Sequence, residues 1–180
     1  DWAGANTGTA SGTLTRNVDG AIVGDGDKAT TFAGDSNQSN VRTPTAIAGP
    51  QQFGLEAWVK TTTTKGGKII GFGSSATGNS SSYDRHVYMQ NNGKLTFGVY
   101  PGAVKTVTSA KSYNDGKYHH IVANLGSDGM KLYVDGELVG SDASVTSAQG
   151  YNGYWRVGGD NLGSWTNQPT SAYFAGTIDE

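Results

Sequence analysis

The amino-acid sequence predicts an all-β protein made of two packed antiparallel sheets, and three observations carry that prediction. Its 180 residues include 28 glycines among long stretches rich in Ser, Thr and Asn, a composition of turns and strands rather than helices. No long segment keeps apolar side chains at i, i+3, i+4 and i+7, whereas several short runs alternate apolar and polar residues with the period of a strand. Asp-Gly or Asn-Gly pairs begin at positions 19, 25, 92, 115, 128, 135 and 152, and such pairs favour hairpin reversals.

The elements follow in chain order. A first strand is expected over 29–32. The clearest is 53–60, where Phe53, Leu55, Ala57 and Val59 are apolar and turn toward a core while Glu56, Trp58 and Lys60 face away. A strand over 68–72 precedes a hairpin of 85–90 and 94–100, turning at Asn91-Asn92-Gly93. Its inward residues are Val87, Met89, Leu95, Phe97 and Val99, and His86, Tyr88, Gln90 and Tyr100 lie opposite. Strands at 106–109 and 119–125 follow. A second hairpin joins Met130, Leu132 and Val134 through Asp135-Gly136 to Leu138-Val139, and 154–157 and 173–178 complete the set. The Thr61–Thr64 and Ser80–Ser82 runs are too short to link domains, and no internal repeat is present. The whole of 1–180 reads as one domain.

Charge and composition exclude several functions. The formal net charge is −2, and Lys and Arg form no cluster, so the basic footprint of a nucleic-acid binder is missing. No apolar run approaches the ~18–20 residues of a membrane-inserted helix. Cysteine is absent, which rules out a disulfide framework, a thiolate zinc site and a thiol nucleophile. The opening residues carry neither a signal-peptide nor a lipidation pattern, so the start at Asp1 reads as that of a mature or excised module.

Five phrases, in order, carry a resemblance. They are Asp25-Gly-Asp-Lys-Ala-Thr-Thr-Phe32, Phe53-Gly-Leu-Glu-Ala-Trp58-Val-Lys, Asp115-Gly-Lys-Tyr-His-His120, Met130-Lys-Leu-Tyr-Val-Asp-Gly136 and Phe174-Ala-Gly-Thr-Ile-Asp-Glu180. Together they resemble bacterial laminin G-like domains of the concanavalin A-like lectin/glucanase type, over about residues 21 to 180. The resemblance implies a two-sheet antiparallel jelly-roll sandwich, used as an extracellular carbohydrate-binding or adhesion module of a larger secreted or surface protein. Its partner would be a glycan or glycoprotein surface. It also implies a structural calcium ion held by Asp179 and by an acid of the opening region such as Asp35, with backbone carbonyls completing the shell. In the family the Ile-Asp-Glu phrase leads into a further strand. The sandwich is therefore expected to lack its final strand and to expose an edge near 174–180, open to a complementing strand or neighbouring domain.

Catalysis finds little support in the residues. Retaining glucanases need two carboxyl groups about 5–5.5 Å apart, yet Glu56, Glu137 and Glu180 are the only glutamates and none has an acid two residues away on the same strand face. No Gly-x-Ser-x-Gly elbow is present. Two binding surfaces are expected instead. One is a sheet face carrying Trp58, His86, Tyr88 and Arg156, with aromatic rings for stacking and polar groups for hydroxyls. The other is a loop surface of Tyr83, Arg85, Asp160, Asn161 and Trp165, in which an Arg85–Asp160 ion pair would join two loops. His119 and His120 point to opposite faces and belong to the scaffold. The competing readings are a structural or protein-interaction module without a sugar site, and a polysaccharide hydrolase or lyase of the same fold. On the binding reading, Trp58→Ala and Arg85→Ala should each weaken binding without unfolding the domain.

Overall fold

A computed structural model describes residues 7–24, 26–34 and 38–179. In chain order its strands are β1 (Thr9–Ser11), β2 (Leu14–Asp19), β3 (Lys28–Ala33), β4 (Asn40–Arg42), β5 (Ile47–Ala48), β6 (Phe53–Lys60), β7 (Gly67–Gly73) and β8 (Tyr83–Met89). They continue as β9 (Lys94–Val99), β10 (Lys105–Ser112), β11 (Tyr118–Gly126), β12 (Gly129–Val134), β13 (Glu137–Asp142), β14 (Asn152–Val157) and β15 (Ala175–Asp179). The described residues contain no helix long and apolar enough to cross a membrane.

All strand pairings are antiparallel, and they make two sheets. The first runs β1-β4-β14-β7-β8-β9-β10, with the short β5 also on β14; the second runs β13-β12-β11-β6-β15-β3-β2. The alternation read from the sequence sets which side chains meet between them. Ile69, Val87, Met89, Leu95, Phe97, Val99 and Val107 enter the core from the first sheet. Leu55, Ala57, Val59, Ile121, Ala123, Leu125, Met130, Leu132, Val134 and Ile178 enter from the second. Burying two continuous apolar faces against each other is the main favourable term in such a sandwich. Phe53 seals one end, edge-on to Phe97 at 6.0 Å and tilted against Trp155 at 5.7 Å.

The structure corrects the expected edge. β15 lies inside its sheet, paired with β6 on one side and with β3 on the other. β3, near the start of the chain, and β15, its last strand, meet there in a long-range return, so the strand next to Glu180 is not a sheet border. β15 covers only Trp58, Val59 and Lys60 of β6. Toward Phe53, β6 pairs with β11 on its other side alone among the described residues.

A bulge and a strand start depart from the expected pattern of the first sheet. Three steps of β8, from Asp84 to Val87, oppose two steps of β7, from Phe72 to Ile70, so β8 carries a bulge, and Arg85 within it has φ +49°. Asn152-Gly153 is not a turn. It opens β14, paired with Ala48 and Ile47 of β5.

Candidate functional site

The outer face of the first sheet is roofed by loops. Strand alternation aims Lys68, His86, Tyr88 and Arg156 outward, and the segments 74–82 and 158–173 fold over them, so all four are fully buried. Two glycines make the close roof possible. A Cβ on Gly98 would lie 2.5 Å from the Trp165 ring, and one on Gly73 would lie 2.1 Å from the Asp160 carboxylate. Trp165 also packs against the His86 ring at 4.1 Å, and with Tyr88 and Leu162 it forms a small second apolar cluster.

Where the roof meets the end of β9, a cleft of about 270 Å³ opens to solvent. Tyr83, Tyr100, Val104 and the largely buried Trp165 supply its aromatic and apolar lining. Ser81, Ser82, Gln149, Gly163 and Ser164 supply its polar lining. Among the described residues the Tyr100, Ser82 and Ser164 hydroxyls and the Gln149 side-chain amide make no hydrogen bond, so these groups remain available to a ligand. Tyr83 donates its hydroxyl proton to the Gly163 carbonyl at 3.0 Å, which ties the two loops on either side of the cleft.

Two buried carboxylates set the walls. Asp84 accepts the Tyr100 N–H at 3.1 Å and the Gln149 N–H at 3.0 Å on one oxygen. Its other oxygen takes Arg85 Nη1 at 2.5 Å and lies 2.9 Å from the Tyr151 hydroxyl. Asp160 accepts the Ser80 N–H at 2.9 Å and the Asn161 N–H at 2.8 Å. Asn161 then donates to the Ser80 carbonyl at 3.1 Å and accepts the Gly163 N–H at 2.9 Å. Each carboxylate thus fixes two chain segments that flank the cleft.

The sequence-predicted residues separate into three places. Tyr83 and Trp165 line the cleft. Arg85, His86, Tyr88, Arg156 and Asp160 lie beneath or beside it, buried, with Asn161 half-buried in the loop that they hold. They are therefore positioning residues, and the expected open face of His86, Tyr88 and Arg156 does not exist because loops cover it. Trp58 is on the outer face of the other sheet, half-buried and 4.7 Å from the His120 ring, whose Nε2 is 2.7 Å from Glu56. It belongs to no common surface with the rest. The expected Arg85–Asp160 pair is also corrected: Arg85 pairs with Asp84, and Asp160 with Arg156 at 3.3 Å. Arg85 further donates to the Pro50 carbonyl at 2.9 Å and the Gln149 carbonyl at 2.5 Å. Its removal would strand a buried carboxylate at a cost of about 3–5 kcal/mol, so Arg85→Ala tests the scaffold rather than binding. Sequence reasoning missed Gln149 and Val104, which sit in loops with no periodic signal.

Asp179 ends β15 in a different corner. It is buried, and its Oδ2 accepts the Ala21 N–H at 2.7 Å while Oδ1 has no hydrogen-bond partner among the described residues. An unpaired carboxylate oxygen beside the turn after β2 suits one ligand of a calcium ion. Asp35 lies outside the described residues. Among those described, no three Asp, Glu or His side chains converge on a point, so carbonyl oxygens would have to supply most of the shell.

The family model of the concanavalin A-like lectin/glucanases superfamily, laminin G class, matches residues 35–180. No curated protein matches at the sequence level. Among solved structures, a pentraxin from Limulus polyphemus is similar with a TM-score of 0.59 at 18% identity, over 83% of this chain and 71% of that one. Domain 4 of AbnA, an extracellular arabinanase from Geobacillus stearothermophilus solved with arabinotriose, gives 0.57 at 19% identity, over 96% and 79%. The carbohydrate-binding module of the Ruminococcus gnavus IT-sialidase gives 0.53 at 18%, over 71% and 72%. At these identities the likeness is one of fold.

The roofed layer has a measurable pH signature. Burial lowers the Lys68 amine from 10.5 to about 8, with the Asp160 carboxylate 4.0 Å away only partly opposing the shift. The folded chain therefore binds fewer protons than the unfolded chain between these two values, and stability rises as pH climbs through that window. Below about pH 8 the cost of the buried ammonium is fully present. In urea unfolding, wild type should gain about 2 kcal/mol relative to Lys68→Met between pH 7 and pH 9.5. A difference that stays constant over this range would mean that the amine keeps its hydration in the folded state.

Proposed function

Because this chain belongs to the laminin G class of the concanavalin A-like lectin/glucanase superfamily, we propose that it is a non-catalytic, extracellular carbohydrate-binding module. The glycan or glycoprotein surface would be held in the cleft of Tyr83, Tyr100 and Trp165. One observation carries this reading: aromatic side chains and uncommitted hydroxyl and amide groups meet in a single loop-built cleft. Sugars present C–H faces that pack on aromatic rings and hydroxyls that exchange hydrogen bonds, so both halves of the lining have a counterpart. The fold supports the reading too, since one similar domain was solved with arabinotriose and another is a sialidase's carbohydrate-binding module. The non-catalytic assignment is favoured by how the fold uses its acids: Asp84, Asp160 and Glu56 are engaged by Arg85, Arg156 and His120. A strand from a neighbouring segment or domain would find its place on the side of β6 that β15 leaves uncovered, from Phe53 to Ala57.

Two experiments test the proposal. On a glycan array followed by titration calorimetry, Tyr100→Ala should lower affinity for the best ligand at least about tenfold. Its circular dichroism should be unchanged, because Tyr100 is half-exposed. Trp58→Ala should bind as wild type does. Loss of binding in the Trp58 variant with none in the Tyr100 variant would move the site to the other sheet. The calcium part of the proposal rests on Asp179. Saturating calcium should raise the melting temperature by about 5 °C over a chelator control, and Asp179→Asn should abolish the rise. Equal melting temperatures in both conditions would remove the ion from the proposal.

A further inference from the structure

The lining of the cleft selects among saccharides, an inference that rests on the carbohydrate reading of that cleft. Among the described residues, none of the side chains lining it carries a charge: its polar groups are serine and tyrosine hydroxyls and the Gln149 amide. Lys105 follows Val104 in sequence, yet its ammonium acts on Asp142, whose carboxyl is held below the usual range chiefly by hydrogen bonds from Ser144 and more weakly by Lys105. Beneath the walls, the guanidiniums of Arg85 and Arg156 are directed to Asp84 and Asp160 and to backbone carbonyls, and both are fully buried. Tyr83, which does face the cleft, holds its hydroxyl proton more tightly than a free tyrosine, through burial first and the Asp160 carboxylate second.

An anionic sugar entering here would give up hydration without meeting a cation among the lining side chains, since Arg85, Arg156 and Lys68 lie buried behind the walls and face Asp84 and Asp160. Unpaired burial of a charge is strongly disfavoured. A neutral ring loses only hydroxyl hydration, for which Ser82, Ser164, Tyr100 and Gln149 offer replacement hydrogen bonds. The volume of about 270 Å³ lies just below the range of small-ligand sites, roughly 300–1,000 Å³, and so accommodates a short terminal stretch rather than a long chain. We propose that the cleft takes an uncharged saccharide of one or two rings and discriminates against sialylated and uronate-bearing counterparts.

Matched pairs test this: lactose with sialyllactose, galactotriose with trigalacturonate, and xylotriose with its glucuronic-acid-substituted form, each titrated into the wild-type domain and Tyr100→Ala. At least one neutral member should bind. Its charged counterpart should bind at least tenfold more weakly, and neutral binding should be unchanged between low and high salt. Equal or tighter binding of a charged member, lost in Tyr100→Ala, would overturn the selectivity while leaving the cleft as the site. Binding that Tyr100→Ala does not alter, or no binding by any member or by a broad neutral glycan array, would overturn the cleft reading and this inference with it.

Discussion

Asp84 is a fully buried carboxylate at the bulge of β8, and the shape of the candidate site depends on its being satisfied. Arg85 brings the neutralising charge, Tyr151 a hydroxyl, and Tyr100 and Gln149 their backbone N–H groups. Those last two residues are cleft walls that come from distant parts of the chain. A buried charge tolerates little displacement of its partners, because a missed hydrogen bond in a low-dielectric interior is costly. The carboxylate therefore acts as a positional constraint. The +49° φ of Arg85 lets adjacent residues 84 and 85 pair side by side while the guanidinium rests near the faces of Phe72 and Tyr151, 5.3 Å from each ring centre.

Asp160 repeats the device on the other side with different partners. It binds the N–H groups that position the Ser80 turn and the loop running to Trp165, with Arg156 beneath it and Lys68 4.0 Å away. The buried polar layer is expensive, as the depressed Lys68 amine records, and such a cost is usual where structure is held for function rather than for stability. Neither carboxylate lies in the cleft. They make loops behave like rigid elements, and a preorganised cleft loses less entropy on binding than a mobile one.

The sandwich was legible because its strands alternate cleanly. Leu55, Ala57 and Val59, or Leu95, Phe97 and Val99, announce a one-sided core, and every strand expected from such a run is present with its inward face as read. β1, β2, β4 and β5 were missed because they are short or poor in apolar residues; β2 offers only Leu14 and Val18, and a bulge at Asn17 interrupts their phase. The site was half legible. Tyr83 and Trp165 were found from aromatic residues in polar, glycine-rich loops. Alternation correctly turned His86, Tyr88 and Arg156 outward, but it carries no information on whether a loop then covers them. Nor does it say which sheet a strand joins, so Trp58 was grouped with residues on the opposite side of the molecule. The Arg85–Asp160 pairing failed for a similar reason, since charge complementarity in sequence does not rank partners, and the nearest acid to Arg85 was its own neighbour.

The most direct test of the account is a crystal structure of the domain soaked with the best-binding oligosaccharide. The account predicts electron density for the sugar in the cleft, packed on Tyr100 and Trp165, hydrogen-bonded to Gln149 and the flanking serines, with the Asp84 and Asp160 networks unchanged. Density over Trp58 and His120 on the other sheet, with the cleft filled by solvent, would contradict it.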